Sequence, residues 1–159
     1  HLVLATLHTN DALSAFTRLT DMGIEPYLVA AAVQAVMAQR LVRRLCVHCA
    51  APAEAPPGAS SELSRWPDPS PAAWRVNVGC DHCQRTGYRG RLGIYELVDV
   101  GAELRHSVAT MAAQGELERI AESAGRRSLR QDGMLKARRG ETTMAEVARV
   151  AGNSAASPG

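Results

Sequence analysis

Lysine is almost missing from this chain. Lys136 is the only one, so the other seventeen basic residues are arginines. A phosphate-cradling loop of the form G-x-x-x-x-G-K-[ST] needs a lysine, and the stretch around Lys136, GMLKARRG, does not have that form. Nor does any acidic residue follow an apolar strand in the manner of a magnesium-holding carboxylate. These absences predict that the chain alone does not hydrolyse ATP. Aromatic residues make up only 4% of the chain, with a single Phe, so alanine and the smaller aliphatics must fill the core. No apolar run approaches eighteen residues, which predicts no membrane-spanning helix. No secretory leader pattern is present, so a reducing compartment is expected. Net charge is only +2, which gives little support to a nucleic-acid partner.

What is present reads first as a fragment of an α/β fold. LVLATL, residues 2–7, resembles a strand buried on both faces, and HTND follows it. Asn10 or Asp11 is placed to cap a helix carrying Leu13, Phe16 and Leu19 on one side, which Gly23 ends. Because HLVLATLH opens in mid-strand, the chain is expected to be the tail of a longer protein. Pro26 suits the first turn of a second helix, expected to run through YLVAAAVQAVMAQRLVRRL, with Arg40, Arg43 and Arg44 at the favourable end of its dipole. Residues 51–77 hold six of the eight prolines and read as an extended loop with at most one helical turn, at SSELSRW. GRLGIYELVDV alternates like a strand around Ile94, Tyr95 and Leu97. The remainder reads as four helical stretches: AELRHSVATMAA, ELERIAESA, SLRQDGMLKARRG ending at Gly140, and TTMAEVARVA with Thr143 and Glu146 at capping-box spacing. GNSAASPG is expected to be a frayed end.

All four cysteines fall in two Cys-x-x-Cys pairs, Cys46/Cys49 and Cys80/Cys83. Each pair places two sulfurs on one face of a tight turn, and two such turns supply the tetrahedron of thiolates that Zn²⁺ prefers. Four sulfurs leave no open position for water, so the zinc is structural. Two disulfides, a redox pair and four-sulfur iron remain as other readings of the same spacing. His48 and His82 lie inside the turns and are expected to be solvated surface side chains.

Five blocks stand in a definite order: HLVLATLHTNDA, DMGIEP, AQRLVRRLC, GCDHCQRTGYRGRLGIYEL and LRQDGMLKARRGETTMAEV. Together they resemble the carboxyl end of the type II secretion and type IV pilus assembly ATPases, the general secretion pathway protein E family. The resemblance implies a partial RecA-like P-loop ATPase domain with a tetracysteine zinc module and a helical carboxyl-terminal subdomain. It divides the chain into 1–45 (ATPase core), 46–98 (zinc module, with the loop 51–77), 99–151 (helical subdomain) and 152–159 (flexible tail).

The resemblance further implies ATP and Mg²⁺ as cofactors of the intact protein, whose phosphate loop would lie before His1. It implies a homo-hexamer at the cytoplasmic face of the inner membrane, with membrane-embedded secretion or pilus platform proteins as partners. His1 and His8 match the family's histidine box. His8 would sense the γ-phosphate, with Thr9 and Asn10 in the nucleotide's vicinity. His1 lies roughly 23 Å of extended chain away, so a structural or interfacial role is expected for it. Gln39 and Arg40 would sit near the base of the motor domain. Arg126, Arg127, Arg130, Arg138 and Arg139 could face acidic partners or lipid, though a solvated helix face is the simpler expectation. The four cysteines disfavour the retraction branch. Secretion is the leading function, pilus extension the alternative, and a zinc-stabilised binding module without catalysis the reading from another class. A zinc-ribbon nucleic-acid binder fits the cysteine spacing but not the charge. With strand 2–7 short of neighbours, marginal stability is expected.

Overall fold

The computed structural model describes residues 1–152. The expected tail, Gly152 excepted, lies outside the described residues. The architecture is mixed α/β. In chain order the elements are α1 (Ser14–Asp21), α2 (Pro26–Ala32), β1 (Ala35–Leu45), β2 (Ala51–Pro52), α3 (Ala59–Leu63), β3 (Arg75–Val76), β4 (Tyr88–Asp99), α4 (Ala102–Ala109), α5 (Gln114–Ser123), α6 (Leu129–Arg138) and α7 (Met144–Ala151). β1 pairs with β4, and β2 pairs antiparallel with β3.

The first helix forms where its pattern places it. Asp11 accepts the free N–H of Ser14 at 2.8 Å, and Leu13 and Phe16 are buried. Two expectations fail nearby. Residues 2–7 form no strand, and Leu2 and Leu4 are 85% and 89% exposed. A strand needs a ladder partner for its N–H and C=O groups, and among the described residues none pairs with this run.

The second expected helix is the other correction. α2 stops at Ala32, and residues 35–45 are the strand β1. Val36, Ala38 and Arg40 are half-buried and Val42 is buried, while Ala35, Met37, Gln39 and Leu41 are exposed, a period of two. The partner has the same period: Ile94, Glu96 and Val98 are buried, Tyr95 and Leu97 exposed. Val100 N–H donates to the Gln34 carbonyl at one end, and Cys46 N–H to the Gly87 carbonyl at the other, so β1 and β4 run in opposite directions. The pairing overrides a composition that suits a helix. Arg43 and Arg44 therefore meet no helix dipole.

The described chain divides into two compact units, each made of two stretches. One unit comprises residues 1–38 and 96–128. Leu13, Phe16, Val29, Val98, Leu104, Val108, Leu117 and Ile120 make its core. Arg105 donates to the carbonyls of Ala30 and Val100 there, and Arg126 pairs with the buried Glu96.

The other unit comprises residues 39–95 and, among the described residues, 129–152. Leu63, Met134 and Leu135 form a small core, with Trp66, Trp74 and Met144 against it. The proline-rich stretch has its single helical turn, α3, but it is more than a loop. Arg130 pairs with Glu62 at 3.2 Å, Arg139 with Asp68 at 2.6 Å, and Arg138 donates to the Ser70 carbonyl at 2.7 Å. Arg126, Arg130 and Arg138, all half-buried, thus serve inside the chain rather than on a solvated face, while Arg139 is exposed yet paired. The Arg139 guanidinium and the Ser70 N–H hold Asp68 down to about 2, against the pull of burial. The lone lysine is occupied as well: Lys136 Nζ donates to Asp132 (2.5 Å) and to the Gly93 carbonyl (2.6 Å). At α7 only half of the expected capping box forms. Thr143 Oγ1 accepts the Glu146 N–H at 3.1 Å, but the Glu146 carboxylate turns to Arg43 and Arg149.

Candidate metal centre

The first cysteine turn continues directly from β1. Cys49 and Ala50 N–H groups both donate back to the Cys46 carbonyl, which closes the turn. The second is a single 3₁₀ turn, Asp81–Cys83, that returns into β4. Two glycines frame it. At Gly79 (φ +114°) an added Cβ would meet the Arg85 carbonyl oxygen at 2.5 Å. At Gly87 (φ +77°) it would meet the Asn77 Cβ at 2.5 Å. Both sites therefore require glycine on two counts, backbone conformation and space.

These turns bring the four sulfurs together, all within 4.8 Å of one another. Cys46–Cys80 is 3.9 Å, Cys49–Cys83 3.8 Å and Cys80–Cys83 3.8 Å, sulfur to sulfur. A tetrahedron with metal–sulfur bonds of about 2.3 Å has edges of about 3.8 Å. A disulfide would need about 2.05 Å, and all four cysteines are free. The donor set therefore fits one tetrahedral metal ion and leaves no coordination position for a reacting water.

Backbone amides support the sulfurs from outside. Gly79 N–H points to Cys49 Sγ (3.3 Å), while Cys80 and Gly87 N–H point to Cys83 Sγ (3.2 and 3.1 Å). Burial raises the Cys83 thiol, but these two amides together with the hydrogen bonds from the Cys49 and Cys80 side chains bring Cys83 down to about 6. Burial pushes Cys49 up to about 11, against its one amide. The charge of a bound divalent ion would favour the thiolate at all four sulfurs. His48 and His82 are exposed, as expected. Their rings also stack, with centroids 4.2 Å apart, linking the two turns on the outside.

The remaining site expectations fall elsewhere. His8 is exposed at the end of a run without regular secondary structure rather than at the carboxyl end of a strand. Thr9 Oγ1 donates to the Asp11 carbonyl at 3.0 Å, and Asn10 is exposed beside it. Arg40 is half-buried on β1. Sequence reasoning missed the group that braces the turns: Arg43, Tyr88, Thr142 and Glu146. Arg43 stacks over the Tyr88 ring (4.1 Å to its centroid) and pairs with Glu146 at 2.8 Å. Only the unusual Glu146, an acid at the start of an otherwise apolar helix face, could have hinted at it.

Comparison with known proteins identifies the family. The family described as "Type II/IV secretion system protein" matches residues 1–149. Type II secretion system protein HxcR of Pseudomonas aeruginosa is 47% identical over 150 residues, which cover 94% of this chain and 28% of that protein. Type IV pilus assembly ATPase PilB of Thermus thermophilus is 43% identical over 148 residues, 92% of this chain and 17% of that protein. Type II secretion system ATPase E of Vibrio cholerae is 43% identical over 150 residues, 94% and 29% respectively. The chain thus spans under a third of the length of each. With a match over nearly all of its described residues, the chain belongs to the type II/IV secretion system protein family.

Proposed function

We propose that this chain is the carboxyl-terminal part of an ATP-driven motor that powers type II protein secretion. What supports the reading is the family match over residues 1–149, in a chain whose four cysteines converge as a metal site. In this reading residues 1–45 complete a RecA-like core, 46–98 carry the metal module and 99–151 form the helical subdomain. ATP and Mg²⁺ bind where those of the intact motor bind, and His8 reports the γ-phosphate by donating to it or to an adjacent water. Thr9 and Asn10 lie near the nucleotide. The motor is a hexamer at the cytoplasmic face of the inner membrane and works against a membrane-embedded platform. No helix among the described residues is long and apolar enough to cross a membrane, which fits a peripheral motor.

The metal is zinc in this reading. Cys46, Cys49, Cys80 and Cys83 would hold it, and it supplies a fixed crosslink between the two turns rather than a reaction. The protein's own contribution is to aim the sulfurs and donate the supporting amides.

The relatives include a pilus assembly ATPase at 43% identity, so pilus extension is the second reading. The test is a chimera. Residues 1–149 replace the matching segment of a secretion ATPase in a strain lacking it, and both secretion and piliation are scored. Restored secretion with ATP turnover is the expected result, along with no turnover by the purified chain alone. Piliation without secretion would favour the second reading. Normal folding with neither output would favour a non-catalytic binding module.

A further inference from the structure

The block LRQDGMLKARRGETTMAEV has no role in the function just proposed beyond forming α6 and α7. Its last third, residues 141–146, bonds to the strand residues that flank the two cysteine turns, Arg43 and Leu45 on β1 and Tyr88 on β4. Glu146 is fully buried at its side chain, and its carboxylate takes four donors: Arg43 N–H (2.9 Å), Arg43 Nη2 (2.8 Å), Arg149 Nε (2.9 Å) and Arg149 Nη2 (2.7 Å). Arg43 stands three residues before Cys46. Its carbonyl accepts the Thr142 hydroxyl at 2.8 Å, so side chains from 142 and 146 fix its peptide on both sides. Leu45 N–H donates to the Glu141 carbonyl (2.9 Å).

The second turn is held by the same stretch. Tyr88, five residues after Cys83, shares a hydrogen bond with Thr143 Oγ1 (2.8 Å) and carries the Arg43 guanidinium over its ring. Cys46 N–H donates to the Gly87 carbonyl (2.9 Å), which ties the two turns directly.

A buried carboxylate is a costly way to dock a helix, because an apolar side chain of similar size does that without desolvating a charge. What the charge adds is direction: a bidentate carboxylate on one residue's amide and guanidinium fixes that backbone in orientation as well as position. We propose that Glu146, through Arg43 and with Thr142 and Tyr88, is a positioning residue for the metal centre. It sets the spacing of the two cysteine turns, so that metal affinity depends on α7. The proposal rests on the reading of the four cysteines as a metal site.

The test uses the whole chain. Cobalt(II) is titrated into metal-free protein, with the tetrahedral absorption bands as readout, and zinc release to a chromophoric chelator is timed. Glu146→Gln, which keeps shape and loses charge, is expected to release zinc about tenfold faster and bind cobalt about tenfold more weakly, the scale of a lost outer-shell contact. Tyr88→Phe removes the hydroxyl's hydrogen bonds to Thr143 Oγ1 (2.8 Å) and Asn77 Oδ1 (3.3 Å) and keeps the ring, with an expected loss of about threefold. Leu104→Ala, in the core of the other unit, lowers thermal stability and is expected to leave both metal readouts unchanged. That control separates positioning from general loosening.

Should Glu146→Gln fail to fold, Tyr88→Phe carries the test. Folded variants that keep the wild-type release rate and cobalt affinity would overturn the proposal. So would metal loss that simply follows melting temperature across all three variants. A wild-type chain that takes up no cobalt would overturn the metal reading itself, a different result from either.

Discussion

At the cysteine turns the groups complete one another within this chain. Four sulfurs converge, three amides point at them, and the flanking strands bond to each other and to residues 141–146. Residues 2–7 are the opposite case. They carry an equally clear pattern, yet Leu2, Val3 and Leu4 are exposed and no strand among the described residues pairs with them. The contrast separates two kinds of sequence signal. A ligand motif names its own partners, because the other half of the site is another cysteine pair in the same chain. A hydrophobic run states only that some partner is needed, and not where it is.

That contrast can be broken at several points. The largest effect is expected from Cys80→Ser, which removes one corner of the tetrahedron. Metal content, measured by elemental analysis, should fall from about one zinc per chain to near none, and residues 39–95 should lose hydrogen-exchange protection. Retained stoichiometric zinc would mean that the site is not these four sulfurs. Next is Gly87→Ala, where the new Cβ is both strained in φ and in collision with Asn77. A loss of about 2–3 kcal/mol is expected in denaturant unfolding. An unchanged midpoint would show that the turn is looser than its geometry.

A smaller effect lies in acid. Arg149 first and then Arg43 hold the Glu146 carboxyl down to about 2, against the pull of burial. In the unfolded chain it titrates near its ordinary value of about 4.3. The folded pKa is the lower one, so the advantage of the wild type over Glu146→Gln is full above about pH 4.3. It declines as pH falls and is gone near pH 2. Melting both proteins across that window checks the sign, and a difference that grows on acidification would contradict it. The smallest effect belongs to the other region. Leu4→Asp changes a side chain that is 89% exposed and should shift stability by no more than about 0.5 kcal/mol. A larger loss would show that residues 2–7 do find a partner in the chain.

The sequence was most legible where partners are local. α1 and α4 to α7 follow from glycines, the Asp11 and Thr143 contacts and apolar spacing of three or four. The sulfur cluster follows from spacing alone. Residues 33–45 were misread because VQAVMAQRLVRRL suits a helix by composition, and only β4, some fifty residues on, decides otherwise. The arginines of α6 were misread for the same reason. The partners of Arg130 and Arg138, Glu62 and Asp68, lie in a proline-rich stretch that gives no local sign of docking on that helix. The bracing of the turns by Glu146 was hidden behind its capping-box spacing, which accounted for the residue too easily.

The central claim is that the four cysteines hold a single metal ion that joins the two turns. X-ray absorption at the zinc edge, on protein purified without added metal and with its zinc content measured, tests it most directly. The account predicts about one zinc per chain with four sulfur neighbours at about 2.3 Å and no nitrogen or oxygen in the shell. Protein free of metal, or a shell containing lighter atoms, would contradict it.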